Sequence, residues 1–358
     1  MYAPGADGAA PAVSATRLPA VLPAEARLAL DSVPDYARPE GATLLTHPEW
    51  DLVYGSESYA DWLKVGKRPS GYPYAQSVGT FWRSYLGTWR AARPRYAVDV
   101  GTHVMLNVIG VSTAVEYGLK GVYENTVGRL SELAMPQGGT AEDRYAAQVA
   151  ADYVDLIRRR GWYEFDFGAA LAGLWQLPAT GPGILRKWER RLALSAEYGV
   201  KAGYAKVIGA GTAAGYETDA LERYAVLAGG PLASDAIPSA VADSAMTGLR
   251  TVRTLDRGYT LVAARRYLPL RDALLALSDQ AASVRIAELS GNDRVAITGT
   301  APRGWQPPAS VRPVLAYAVP ADPRFVRALL EVPVRDLLDV LAGLRREHAF
   351  VVDHVYDY

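Results

Sequence analysis

The apolar residues of this chain keep two different periods, and that change of rhythm limits the folds open to it. From Gln76 to about Tyr216 they recur at three- and four-residue steps, the spacing of helical faces. After Tyr259 they fall in short alternating runs, as half-buried strands require. A chain of 358 residues also exceeds what one hydrophobic core usually organises. The expectation is a helical domain followed by an α+β domain: a disordered leader over 1–45, a helical part over 46–217, a linker over 218–250 and the α+β part over 251–358. The leader is rich in Ala, Pro and Gly and lacks both the basic start and the apolar centre of a secretory signal.

Within the helical part, Val78, Phe81, Trp82, Tyr85, Leu86 and Trp89 share one face of a helix over 76–90, which ends before Pro94 because proline cannot continue the ladder. A second helix over 98–133 contains the most apolar stretch, Val104 to Val115, with Gly110, Ala114 and Gly118 spaced to admit another backbone. Further helices are expected over 141–160, 162–175 and 184–216, the last repeating the small-residue spacing at Gly199 and Gly203. In the α+β part, strands are expected over 259–266, 284–289, 294–300, 314–319, 325–332 and 350–355, with helices over 270–280 and 334–347. That order suggests a ferredoxin-like antiparallel sheet with two helices on one face and an extra hairpin.

Two helices carry the same signature. Glu116-Tyr117-Gly118-x-Lys120-x-x-Tyr123 is matched by Glu197-Tyr198-Gly199-x-Lys201-x-x-Tyr204, and each follows an aromatic block, Tyr72 to Trp82 and Phe165 to Trp175. This reads as a duplicated helical hairpin. The basic connectors agree, with Arg90, Arg93 and Arg95 in one copy and Arg186, Lys187, Arg190 and Arg191 in the other, as the positive-inside tendency of membrane proteins would place them.

Lys plus Arg is 38 and Asp plus Glu is 38, so the cationic footprint of a nucleic-acid binder is missing. With 0 Cys there is no thiolate metal site and no thiol nucleophile. Charged residues are only 21% and hydrophobic ones 50%, with 8 Trp and 22 Tyr, which leans toward a membrane surface. No stretch reaches the roughly twenty apolar residues of an ordinary span. The expected partner is therefore membrane lipid, met peripherally on the cytoplasmic side, with a protein partner or a second copy as a further possibility.

Glu116, Lys120 and Tyr123 share one helical stripe, and Glu197, Lys201 and Tyr204 share another. One reading is two intrahelical ion pairs that support their helices by a few tenths of a kcal/mol, an order-of-magnitude figure. The sharper reading has the stripes facing each other inside an apolar bundle as a proton relay or a polar headgroup site, with Tyr117 and Tyr198 beside them. His103, just ahead of the apolar run, completes the candidates. The His residues at 47, 103, 348 and 354 show no metal-ligand spacing, and Gly209-Ala-Gly211-Thr-Ala-Ala214 sits in a helix rather than a strand-to-helix turn, so neither metal nor cofactor is expected. The chain reads as a membrane-associated, non-catalytic binding or assembly subunit. The alternatives are an enzyme using Glu, Tyr and Lys on a lipid or other apolar substrate, and a soluble homo-oligomeric helical protein.

Overall fold

The computed structural model describes residues 22, 24–33, 42–94, 98, 100–212, 222–229, 248–255, 258–265, 268–279 and 284–356. Helices come first: α1 (Ala24–Asp31), α2 (Ala42–Lys64), α3 (Tyr74–Ala92) and α4 (Val100–Tyr123), which runs through a π-helical turn (Glu124–Gly128) into α5 (Arg129–Glu132). Then follow α6 (Ala141–Ile157), α7 (Phe167–Gln176) and α8 (Ile184–Thr212). Local chemistry sets several of these ends. Thr140 and Asp143 form a reciprocal capping box at the start of α6, and the Asp166 side chain accepts from the Ala169 N–H to open α7.

α2 packs against α3, α4 and α6, and also lies on strands of the C-terminal region. Gly110 and Gly121 let α3 approach α4, since a Cβ at either would meet Phe81 or Tyr74. At Gly118, Gly199 and Gly203, by contrast, an added Cβ would meet nothing within 4 Å. The close approach expected of those three glycines is not made among the described residues.

The C-terminal region is antiparallel α+β, as its alternation implied. Its elements are β1 (Glu222–Gly229), β2 (Arg250–Thr254), β3 (Tyr259–Arg265), α9 (Leu268–Ser278) and β4 (Val284–Leu289), then β5 (Arg294–Pro302), β6 (Arg312–Val319), β7 (Asp322–Pro333), α10 (Leu337–Glu347) and β8 (Val351–Tyr356). They form two four-stranded sheets, ordered β2-β3-β1-β4 and β6-β7-β5-β8, with every pairing antiparallel. Among the described elements the connectivity is the same twice: three strands, a helix, and a fourth strand that returns beside the first. Pro269-Leu-Arg-Asp272 and Pro333-Val-Arg-Asp336 stand at the openings of α9 and α10, where proline fits a helix start and costs no ladder bond.

This differs from a single ferredoxin-like plait. The turn at Ser290-Gly291-Asn292 does not fold β4 back on β5 as a hairpin but passes the chain from one sheet to the other, so that β1 and β5 each sit inside their own sheet. Leu274, Leu277, Leu337 and Leu341 of the two helices, with Leu227, Ile286, Ile297 and Leu330 of the strands, make one aliphatic core shared by both units. β1 falls in the stretch read as a linker, and α1 falls in the expected leader. α1 is ordered because Leu22, Ala26 and Leu30 bury against Val226 and Leu261 while Arg27 pairs with Glu288 at 2.6 Å. The rest of the expected leader before 42 and of the linker before 248 lies outside the described residues.

Candidate functional site

The first turns of α8 are inverted relative to a helix in water. Arg186, Lys187, Arg190 and Arg191 are buried, whereas Ile184, Leu185, Trp188 and Leu192 are exposed. Acids from the π turn, α5 and α6 meet the cations. Arg186 donates to Asp143 at 2.8 Å, to Ser131 at 2.8 Å and to Glu189 at 3.1 Å. Arg190 donates to Glu124 at 2.8 Å and Glu189 at 2.7 Å, and Arg191 to Glu142 at 2.8 Å and to the Leu177 and Pro178 carbonyls. Glu132 accepts from the Ser70 hydroxyl and backbone N–H. Burial pushes the Glu124 carboxyl above its ordinary range despite Arg190, while Arg186 holds Asp143 below its range against the opposing effect of burial. These cations are therefore not an exposed connector of the positive-inside kind. They are internal, and each is desolvated with a partner.

Farther along, α8 turns Glu197 and Lys201 toward Glu116 and Lys120 of α4. Lys120 donates to both oxygens of Glu197 at 3.0 Å rather than to Glu116, and Lys201 bridges Glu116 at 2.7 Å and Glu197 at 3.2 Å. The pairing across helices exceeds the local one. The Lys120 ammonium also lies 4.3 Å from the centre of the Tyr59 ring. Burial pushes Glu197 up, yet Lys120 and Lys201 bring it down to about 2. Burial likewise lowers both lysines, and the carboxylates of Glu197 and Glu116 outweigh it and leave each above the ordinary lysine value. Glu197, Lys120 and Lys201 thus hold fixed charges near neutrality and have no proton poised for exchange at pH 7.

The other candidates divide. Tyr117 packs edge-on against the Tyr72 and Tyr74 rings, and Tyr198 lies tilted against Phe167. Tyr123 donates to Glu189 at 2.6 Å and so belongs to the arginine cluster. Tyr204 is partly exposed and stacks on Trp162 at 5.3 Å. His103 lies about 20 Å from Glu116 by helical rise and bonds through Nδ1 to the Tyr85 hydroxyl at 2.9 Å.

Two cavities meet at this group. One, about 580 Å³, reaches from Lys64 and Arg68 at the end of α2 past Tyr59 to Lys120, Glu197 and Tyr198. The other, about 460 Å³, is a groove walled by Val53, Val108, Ile109, Trp162, Tyr204 and Ile208. Glu116, Tyr153 and Lys201 line both. Tyr59, Tyr153 and the acids at 124, 132, 142 and 143 are absent from the sequence-based candidates. The signal for the acids is an excess of cations around 184–191, which does not say which face turns inward.

A second polar cluster lies between α2 and the second sheet. The Tyr317 hydroxyl donates to Asp51 at 2.7 Å, and His47 Nδ1 bonds the Thr298 hydroxyl at 2.9 Å and the Tyr356 hydroxyl at 3.1 Å. Arg327 sits over the Tyr54 ring and pairs with Glu57 and Asp353, each at 3.2 Å. Burial pushes the Asp51 carboxyl up to about 7; burial and the nearby Arg327 bring His47 down to about 3. His354 lies inside β8 with its ring stacked on Trp50 at 4.0 Å.

Among the described residues no cluster of three or more His, Asp or Glu could hold a metal ion, and no helix is long and apolar enough to cross a membrane. No family model, curated protein or solved structure matches the chain.

Proposed function

We propose that this chain is a non-catalytic binding or assembly subunit that seats its helical half on a lipid surface. The observation that carries this reading is the inversion of α4 and α8, which keep charges inside and put aliphatic side chains outside. Val104, Val108, Val111, Val115, Leu119 and Val122 form a ridge on α4, each more than half exposed, and Leu192, Val200 and Val207 are equally exposed on α8. Ionisable side chains turned inward in pairs and apolar ones turned outward are what a lipid contact favours. Each aliphatic group taken out of water contributes about 1 kcal/mol, so the ridge supplies on the order of 5 kcal/mol for interfacial docking. The repeated Glu-Tyr-Gly-x-Lys signature, whose copies exchange ion pairs across α4 and α8, supports a duplicated helical hairpin as the origin of this face.

Flotation with vesicles of phosphatidylcholine and phosphatidylglycerol tests the reading. The wild-type chain floats with the vesicles, and Val111→Glu with Leu119→Glu returns it to the soluble fraction. Wild-type protein that stays behind as a stable soluble dimer, with α4 protected from hydrogen exchange, would replace this reading with that of a soluble oligomer.

A further inference from the structure

We infer that the paired cavities between α4, α6 and α8 form a binding site for an elongated amphiphile with an anionic head, the head in the larger chamber and a single apolar chain in the groove. Both volumes, about 580 and 460 Å³, fall in the range of small-molecule sites. Each is elongated. The groove follows α4 from Met105 to Glu116 and the chamber follows α8 from Arg190 to Lys201, about 16 Å apiece by helical rise.

Charge selects the head. Inside the chamber Glu116 and Glu197 are matched by Lys120 and Lys201, and Arg190 by Glu124 and Glu189. The remaining cations of the wall, Lys64, Lys67, Arg68 and Arg144, are exposed; Lys67 lies within the field of Asp322, and Lys64, Arg68 and Arg144 form no ion pair with a carboxylate among the described residues. Their excess favours a carboxylate or phosphate and disfavours a cation. Shape and surface select the chain. The groove is walled mainly by aliphatic and aromatic side chains, with Glu49, Arg159 and Arg160 also in its lining, and its α4 wall includes Val108, which also belongs to the exposed ridge. A chain leaving an apolar phase along that ridge enters the groove without crossing water, which is how this site extends the lipid-surface reading.

Titration of the full-length protein with dodecanoate and dodecyl phosphate, followed by calorimetry below their micelle concentrations, tests the site apart from membrane docking. The two anions bind at one site per chain, roughly tenfold or more tighter than dodecanol or dodecyltrimethylammonium. The order of the two anions identifies the head. Lys64→Glu with Arg68→Glu, both on the surface, weakens the anions roughly tenfold and leaves dodecanol unchanged. Ile109→Trp, which fills the groove, weakens all chain-bearing probes, while inorganic phosphate binds no tighter than in the millimolar range, an order-of-magnitude bound. Equal affinity for the three head types, or insensitivity to both variants, overturns the proposal. Val111→Glu with Leu119→Glu leaves dodecanoate binding intact; its loss in that variant would move the chain onto the ridge and overturn the site, even where vesicle docking stands.

Discussion

α8 and α10 are both amphipathic, yet they bury opposite faces. α10 hides Leu337, Leu338, Leu341 and Leu344 and leaves Arg345, Arg346 and Glu347 in water. α8 hides Arg186, Lys187, Arg190 and Arg191 and leaves Leu185, Trp188 and Leu192 outside. The two halves of the molecule therefore differ in what they bury beside their apolar cores. The C-terminal half gains from aliphatic burial at about 25 cal/mol per Å². The helical half has apolar cores of its own, around Phe81, Phe167 and Leu174, and adds to them a buried set of charges whose desolvation is offset only while each keeps its partner. Periodicity makes a helix legible in either case; the medium around it decides which face turns inward.

The largest test of that difference is Arg186→Met. It leaves Asp143 without its guanidinium and Glu189 with Arg190 alone, and is expected to cost about 3–5 kcal/mol, measured by urea denaturation. Leu341→Ala in the other half is expected to cost about 2–5 kcal/mol through a cavity instead. A nearly neutral Arg186→Met would show that the charged interior is dispensable and dissolve the contrast.

The Asp51 cluster, where the halves meet, sharpens it through pH. The Asp51 carboxyl rises from 3.8 to about 7, so its contribution to stability is full below pH 3.8 and is lost as pH climbs through about 7. His47 runs the other way. Lowered from 6.5 to about 3, it contributes fully above pH 6.5, and this is lost as pH falls through about 3. Asp51→Asn deletes only the first contribution, so the variant's stability relative to wild type should grow by on the order of 4 kcal/mol between about pH 4 and 8. Thermal melts across that range measure it, and a difference that stays flat with pH would remove the buried carboxylic acid from the account.

A smaller effect is expected at the junction of the two cavities. Lys201→Met leaves Glu197 with Lys120 but strips Glu116 of its cation, at a cost of about 1–2 kcal/mol for these part-buried groups. Smallest of all, Val200→Ser on the outer face of α8 should change stability in aqueous buffer by less than about 0.5 kcal/mol. A large loss there would mean that the apolar face is already covered in solution by another copy.

Much of the framework is legible from residue order alone. Phe81, Trp82, Tyr85 and Trp89 at helical spacing mark α3, Pro94 limits it, Val284 to Leu289 alternates as β4 does, and the Pro320–Pro323 segment separates the paired strands β6 and β7. β1 was not legible, because five of its residues, Tyr224 to Ala228, are apolar without alternation and its neighbours β3 and β4 lie far along the chain. The doubled sheet is hinted at only by the Pro-x-Arg-Asp pairs, since pairing partners are a matter of register and not of composition. At the candidate site, the spacing of Glu116 with Lys120 and of Glu197 with Lys201 was visible.

The sequence by itself therefore determined where most helices and strands run and which charged residues share a stripe, because both follow from local periodicity. Only the tertiary structure decided that Lys120 would reach for Glu197 instead of its own helix neighbour, that Arg186 would lie inside while Leu185 lay outside, and that the strands would divide into two sheets. Those choices depend on which surfaces desolvate together, a property of the assembled chain and of no single segment.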